Sequence, residues 1–206
     1  MIDRETGSVW THLDGKAITG QLQGSRMTML PLVHITWEEW KTSHPDTMVL
    51  SPDTPFQNRY GPVRIGVFNQ REAAFGDVRL DANTLVVGVE LEGQFKGYPL
   101  DELRDVGGVV NDTLAGQPIV VIYDEVAQVG LAYSRATGDT VLEFDTSGTN
   151  GLQLRDKETQ SVWDRQGRAL SGPLSGTSLK FVPSFISEWY GWSGYHPETA
   201  LFEQHK

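Results

Sequence analysis

Two histidines are the first candidates for chemistry, because each follows a tryptophan by four residues and directly precedes a proline. These are His44, after Trp40, and His196, after Trp192. An imidazole titrates near neutral pH and is a common metal ligand, so a metal-binding or acid–base role is one interpretation. The other is a histidine that ends a short helix and forms local hydrogen bonds, since the position before proline disfavours further helix. We favour the structural role and keep His44 and His196 as candidate metal ligands.

Two pairs of carboxylates form a second candidate. Asp3 and Glu5 recur as Asp156 and Glu158, and such pairs can hold Ca²⁺ or act in general acid–base catalysis. A basic residue separates the members of each pair, and an Asp-x-Glu-Thr sequence before a strand is ordinary turn chemistry. We therefore expect turns at both places.

The remaining polar candidates are weaker. Asn111, Asp112 and Thr113 form a polar cluster beside a predicted hairpin, where a stabilising role is favoured over a catalytic one. His12 and His34 are not repeated in the chain, so a four-histidine site is not expected. The sequence contains no recognisable pairing of nucleophile and base and no phosphate-binding loop.

Most of these candidates lie in a segment that the chain contains twice. Residues 156–163 repeat residues 3–10, and matching glycines, prolines and tryptophans continue the repeat to residue 202. All six tryptophans belong to it, paired three to three, which indicates an internal duplication. Indole pairs on one helix face are more often core anchors than ligand platforms. We expect structural anchors at Trp10, Trp37, Trp40, Trp163, Trp189 and Trp192.

Composition and charge exclude several classes of partner and site. The 206 residues carry a formal net charge of −10 without a cluster of Lys and Arg, so no nucleic-acid partner is expected. The absence of cysteine excludes disulfides, thiolate metal sites and a cysteine nucleophile. No apolar run approaches the roughly 18–20 residues of a transmembrane helix, and residues 1–5 lack signal-peptide features. No cofactor is predicted apart from the candidate metal.

Short apolar segments between turn-forming residues predict a mostly β fold. Residues 119–122 are apolar without alternation, as in a strand covered on both faces. Residues 131–135 and 140–144 are expected to pair as a hairpin around residues 137–139. A further strand is expected at residues 27–31. Thr36 and Glu39 have the spacing of a capping box, which predicts a short helix, and a second helix is expected at the repeated tryptophan pair. We expect short antiparallel strands in a sandwich- or barrel-like body with two or more short helices.

Two longer patterns resemble a known family. One comprises Val86-Val87-Gly88-Val89-Glu90, Tyr98-Pro99-Leu100, Val110-Asn111-Asp112-Thr113 and Gly116-Gln117-Pro118-Ile119-Val120-Val121. The other comprises Asp3-Arg4-Glu5-Thr6-Gly7-Ser8-Val9-Trp10, Gly20, Pro31, Trp37 and His44-Pro45-Asp46-Thr47. They resemble the first and second halves of a unit of the prokaryotic domain of unknown function 3179. The family has no established biochemical function, and its members typically look secreted or membrane-anchored, so the resemblance leaves localisation open.

The resemblance implies one and a half units. We expect a half unit at residues 1–51, an ordered connector at 52–83 with at most one strand at 63–68, and a complete unit at 84–203, in one compact body. In the family, the motif at the start of the half unit often begins at an internal methionine. Met1 is therefore expected to match an internal position of a longer ancestor or gene.

Two departures from the family pattern bear on function. Members often carry Tyr-Cys-Pro-Leu-Cys-Gly after the strand equivalent to residues 119–123, and a histidine before the Asn-Asp-Thr. Two thiols near an imidazole would suit a soft metal or redox chemistry. Here Asp124-Glu125-Val126 follows Tyr123, and Gly107-Gly108 stands where the histidine would be. The complete unit therefore lacks that candidate site.

These features predict a non-enzymatic binding or structural module. The alternative is a metal-binding protein or metal-dependent enzyme that uses His44, His196 and nearby carboxylates. A half unit lacks the strands with which its complete counterpart pairs, so its exposed edge should be covered by the connector, the other unit or another chain. Self-association or a partner protein is therefore expected at the half unit.

Overall fold

The computed structural model describes residues 1–51, 53, 55, 77–147 and 152–203. This part of the chain is mostly β, as the sequence predicts. Its helices are α1 (Trp37–Ser43), α2 (Leu100–Asp105) and α3 (Trp189–Tyr195), and none of these is long and apolar enough to cross a membrane. Its strands are β1 (Val9–Trp10), β2 (Ala17–Thr19), β3 (Leu85–Leu91), β4 (Gln94–Pro99), β5 (Val109–Leu114), β6 (Gln117–Asp124), β7 (Val129–Ser134), β8 (Ala136–Thr137), β9 (Thr140–Val141), β10 (Phe144–Ser147), β11 (Gln153–Asp156), β12 (Val162–Trp163), β13 (Ala169–Ser171), β14 (Phe181–Val182), β15 (Ser184–Glu188) and β16 (Ala200–Leu201).

Three four-stranded sheets form the body. Their strand orders are β15-β3-β4-β16, β14-β7-β6-β5 and β10-β11-β12-β13. Neighbouring strands run antiparallel except for β16, which pairs parallel to β4. The sheets stack in layers, and none of the three closes into a barrel.

The sheet β14-β7-β6-β5 is the middle layer and is covered on both faces. Ile119 and Val121 of β6 join a core shared with the β3–β4 hairpin, whereas Val120 and Ile122 join a core shared with β10 to β13. All four side chains are at most 1% exposed. The prediction of a strand buried on both faces is therefore confirmed, and it explains the unbroken apolar run.

Helix α3 covers the outer face of the sheet β15-β3-β4-β16. Trp189 and Trp192 are 0% and 1% exposed and pack with Val86 in a third core. A Cβ atom added to Gly88 would lie 2.3 Å from the Trp192 ring, and one added to Gly97 would lie 3.1 Å from the Trp189 ring. The indoles thus lie against bare backbone, and at Gly88 only glycine allows that approach.

The half unit contributes a hairpin and helix α1. Strands β1 and β2 pair with the same irregular register as β12 and β13 in the complete unit. Helix α1 begins at the predicted capping box, in which Thr36 and Glu39 bond reciprocally. Arg165 of the complete unit forms ion pairs with Glu39 at 3.1 Å and with the buried Asp124 at 3.0 Å. This arginine links α1 to the body.

Two local predictions differ from the structure. Residues 27–31 form no strand, because they continue as an irregular segment after the isolated bridge between Lys16 and Arg26. The hairpin around residues 137–139 contains only β8 and β9, because β7 pairs with β6 and β14 in the middle sheet instead. Most of the predicted connector, including residues 63–68, lies outside the described residues.

The contact between Gly88 and Trp192 predicts a stability effect. Gly88→Ala should lower the free energy of unfolding by about 1–3 kcal/mol, because the added methyl group overpacks the indole. The measurement is urea denaturation followed by far-UV circular dichroism.

Gly194→Ala is the matched control, because a Cβ atom there meets nothing within 4 Å in helix α3. It should be neutral or stabilise by up to about 1 kcal/mol through helix propensity. Equal denaturation midpoints for Gly88→Ala and the unmodified protein would contradict this packing.

Candidate functional site

An aspartate near the start of the repeat organises a hydrogen-bond network in the complete unit. Asp156 accepts hydrogen bonds from the Trp163 indole at 2.8 Å and from the backbone N–H and hydroxyl of Thr159 at 2.5 and 2.9 Å. The Ser161 hydroxyl accepts a bond from the Leu174 N–H at 3.0 Å. These contacts are those of a turn that joins two strands.

The half unit contains the same network. Asp3 accepts from the Trp10 indole at 2.9 Å and from the backbone N–H of Thr6 at 2.6 Å. The Ser8 hydroxyl accepts from the Leu22 N–H at 3.0 Å. The duplicated carboxylates are therefore occupied by turn and indole donors in both units.

These donors favour the ionised form of both carboxylates. The hydrogen bond from Trp10, followed by those from Thr6, lowers the pKa of Asp3 to about 2. Burial alone would raise the pKa of Asp156, but hydrogen bonds from Trp163 and Thr159 outweigh it and hold the pKa below its ordinary value. Neither carboxyl is suited to donate a proton near neutral pH.

His44 ends helix α1, where its backbone N–H donates to the Trp40 carbonyl at 2.8 Å. Its ring lies flat on the Trp40 indole, with centroids 4.0 Å apart and planes 9° apart. Nδ1 lies 2.9 Å from the Ser43 hydroxyl, and that hydroxyl donates its proton to the Glu39 carbonyl at 2.9 Å. The tautomer of the imidazole decides which atom of this pair donates, and the Ser43 hydroxyl forms the local bonds of a helix end.

His196 ends helix α3 in the same way but lies in a different environment. Its ring stacks on Phe95 with centroids 3.8 Å apart and contacts Trp192 at 4.4 Å. It is only 6% exposed, and burial lowers its pKa, so the imidazole is neutral at pH 7. Within the described chain, neither ring nitrogen has a hydrogen-bond partner.

His196 opens onto a cleft between the half unit and the complete unit. The cleft has a volume of about 710 Å³. Arg26 of the half unit crosses it to form a two-pronged ion pair with Glu90 of β3. Its other polar lining residues are Asp14, Lys16, Gln94, Tyr195 and Glu198. We call this space the His196 cleft.

Comparison with protein families identifies the chain. The sequence model of a family described as a protein of unknown function (DUF3179) matches residues 1–75 and 63–206. The chain belongs to the DUF3179 family. The two matches agree with the resemblance noted in the sequence, and together they cover the whole chain. Searches of curated proteins and of solved structures found no match.

The two departures from the DUF3179 pattern lie side by side. The Tyr123 N–H donates to the Gly108 carbonyl at 2.8 Å, and Gly107, Gly108 and Tyr123 line one cavity of about 350 Å³. Asp124 is buried and pairs with Arg165, while the neighbouring Glu125 pairs with an arginine of α2 at 2.8 Å. Ion pairs therefore occupy the place at which the resemblance noted in the sequence implies thiols in related units.

The polar cluster of β5 bonds to neighbouring elements. The Asn111 side chain donates to the Phe144 carbonyl at 2.7 Å and accepts from its N–H at 2.9 Å, which connects β5 to β10. Asp112 accepts from Lys96 and Tyr98 of β4 at 2.7 and 2.8 Å. Thr113 donates its backbone N–H to the Asp112 carboxylate at 2.7 Å. Every one of these bonds joins neighbouring strands or residues.

The candidate histidines do not form one site. His196 lines its cleft, His44 lies on Trp40, and His12 and His34 line a third cavity of about 400 Å³. No three His, Asp or Glu side chains among the described residues are placed to hold a metal ion. The sequence did not reveal that His12 and His34 share a cavity, because neither has a counterpart in the repeat.

The tryptophans divide into two groups, contrary to the expectation of six core anchors. Four are buried: Trp10, Trp163, Trp189 and Trp192. Trp37 and Trp40 are 52% and 38% exposed, and α1 buries none of its residues. Their counterparts are buried because the β3–β4 hairpin covers them, and no described strand covers α1 in this way.

The aspartate network predicts a pH-dependent contribution to stability. Asp156→Asn should cost about 1.5–3 kcal/mol at pH 7, because hydrogen bonds to a charged, buried acceptor are lost. The depressed pKa means that this contribution is complete above the unfolded-state pKa of about 3.9 and is lost as pH falls through the folded-state pKa. Stability measured by urea denaturation should therefore differ less between the two proteins at pH 2.5 than at pH 7.

Asp3→Asn is the matched control for this experiment. It alters the same network in the half unit, where Trp10 lies at the edge of the body, and should destabilise less than Asp156→Asn. A stability difference that is constant from pH 2.5 to pH 7 would contradict the assignment to an ionised Asp156.

Proposed function

We propose that the protein is a non-enzymatic binding module whose ligand occupies the His196 cleft. The observation that carries the proposal is the His196 ring, whose nitrogens have no hydrogen-bond partner in the described chain and open onto the cleft. A ligand in the cleft could therefore bond to this ring without displacing a hydrogen bond within the protein. The cleft volume of about 710 Å³ is in the range of small-molecule sites.

The ligand that fits this lining best is a neutral, polyhydroxylated molecule such as a mono- or disaccharide. The neutral imidazole of His196 offers one donor and one acceptor, and the ion pair of Arg26 and Glu90 adds donors and acceptors of fixed direction. Tyr195 is 44% exposed and offers an aromatic face beside these groups. Lining charges of both signs favour a ligand without net charge of its own.

Binding without catalysis is supported by the state of the acidic groups. Glu90 is held by Arg26 through two hydrogen bonds. Burial alone would raise the pKa of Asp14, but the hydrogen bonds from Thr11 and Lys16 and the charge of Arg26 together outweigh it, so the pKa lies below its ordinary value. Among the described lining residues, the only hydroxyl is the phenol of Tyr195. These groups are suited to hold hydroxyl groups rather than to transfer protons.

The proposal is tested by saturation-transfer NMR with a panel of neutral mono- and disaccharides. At least one sugar should give a signal with the unmodified protein that is lost in His196→Gln and strongly reduced in Glu198→Gln. His44→Gln should bind normally, because His44 occupies the equivalent position in the half unit and lies on Trp40 instead of lining the cleft. Circular dichroism establishes that each variant is folded.

Two results would overturn this function. One is the absence of any sugar signal with the folded protein. The other is stoichiometric metal in protein purified without a polyhistidine tag that is lost in His196→Ala, which would favour the metal-dependent alternative that uses His44, His196 and nearby carboxylates.

A further inference from the structure

The complete unit contains a hairpin held between two strands of the repeat. Strand β15 pairs antiparallel with β3 through five residue pairs, and β16 pairs parallel with β4 through two. Strands β15 and β16 therefore flank the β3–β4 hairpin as outer strands, while α3 covers one face of the resulting sheet. We call β15, α3 and β16, which all belong to the repeated segment, the frame of the complete unit. The β3–β4 hairpin inside this frame comes from the first half of the unit.

The half unit has the same frame, and none of the described residues places a hairpin in it. Residues 32–36 correspond to β15 and residues 48–50 to β16, but neither segment forms a strand. Met48 and Leu50 are 95% and 94% exposed, far more than Phe202, which corresponds to Leu50 and stacks on an aromatic ring of β4. Two chain segments that would pair with a hairpin are thus open at both sides of α1.

The exposed helix between them shares its backbone bonds with α3 but not its histidine packing, because His44 lies flat on Trp40 whereas His196 stacks on Phe95. The Trp40 indole donates to the Thr47 hydroxyl at 2.7 Å, matching the bond from Trp192 to Thr199 at 2.8 Å. His44 ends α1 with the same backbone bond that His196 makes to α3. A partner would therefore meet a helix whose backbone and closing bonds are already formed, which lowers the cost of binding.

We propose that residues 32–36, α1 and residues 48–50 form a docking frame for a β-hairpin of a separate polypeptide. One strand of the hairpin pairs antiparallel with residues 32–36, and the other pairs parallel with residues 48–50. Glycines in the two strands lie against Trp40 and Trp37, as Gly88 and Gly97 lie against the indoles of α3. This is recognition by β-strand addition, with the indoles giving specificity.

A second copy of this chain is not the partner that the geometry favours. The β3–β4 hairpin of each copy is already paired within its own complete unit. Trp189 and Trp192 of α3 cover it and are at most 1% exposed. Releasing that hairpin would expose these two indoles, which opposes the exchange. The partner is therefore a different polypeptide that carries a free hairpin with glycines at these two positions.

The test uses the full chain and a cyclised peptide with the sequence of residues 84–100, since isolated hairpins are marginally stable in water. Binding is measured by calorimetry, and NMR amide exchange reports which backbone groups become protected. The peptide should bind and protect amides in residues 32–36 and 48–50. Trp40→Ala should weaken binding at least tenfold, whereas Val126→Ala, an exposed apolar residue of the complete unit, should have no effect.

A second peptide tests the steric basis of recognition. A leucine in place of the glycine equivalent to Gly88 should abolish binding, because its side chain would occupy the space of the indole. The proposal is overturned if the unmodified peptide does not bind, if the leucine peptide binds equally well, or if Trp37 and Trp40 are already protected from N-bromosuccinimide in the protein alone. It is also overturned if ultracentrifugation shows a dimer whose dissociation exposes Trp37.

Discussion

The close packing of an indole ring against a glycine in a β-strand is the contact on which the arrangement of the complete unit depends. Trp192 can reach the β3–β4 sheet only because Gly88 has no side chain, and this approach places α3 over the outer face of the sheet. The position of α3 in turn brings His196 against Phe95, at the wall of the cleft. Sheet, helix and candidate ligand site are thus coupled through one contact.

The two copies of the repeated sequence share their local structure but differ in their packing. Both copies form the same aspartate–tryptophan network, the same irregular strand pair and the same helix ended by histidine. These features recur because they depend on residues close in sequence. The copies differ in what covers the helix, which depends on residues distant in sequence. In the complete unit the hairpin covers it, whereas the half unit leaves two indoles at the surface.

The same distinction explains how much could be predicted from the sequence. The capping box at Thr36, the buried run at residues 119–122 and the mostly β class follow from local patterns, and the structure confirms them. The exposure of Trp37 and the presence of the His196 cleft do not follow from local sequence patterns. Arg26 and Glu90 are 64 residues apart and carry no motif, so only the folded chain shows that they meet beside His196. Equivalent residues in a repeat also invite a shared role, which the different surroundings of His44 and His196 do not support.

Equivalent tryptophans are buried in the complete unit and exposed in the half unit. Incorporation of 5-fluorotryptophan, with resonances assigned by single Trp→Phe variants, measures this directly through the solvent isotope shift of each ¹⁹F signal between H₂O and D₂O. We expect a large shift for Trp37 and Trp40 and almost none for Trp189 and Trp192. Equally small shifts for all four residues would contradict it.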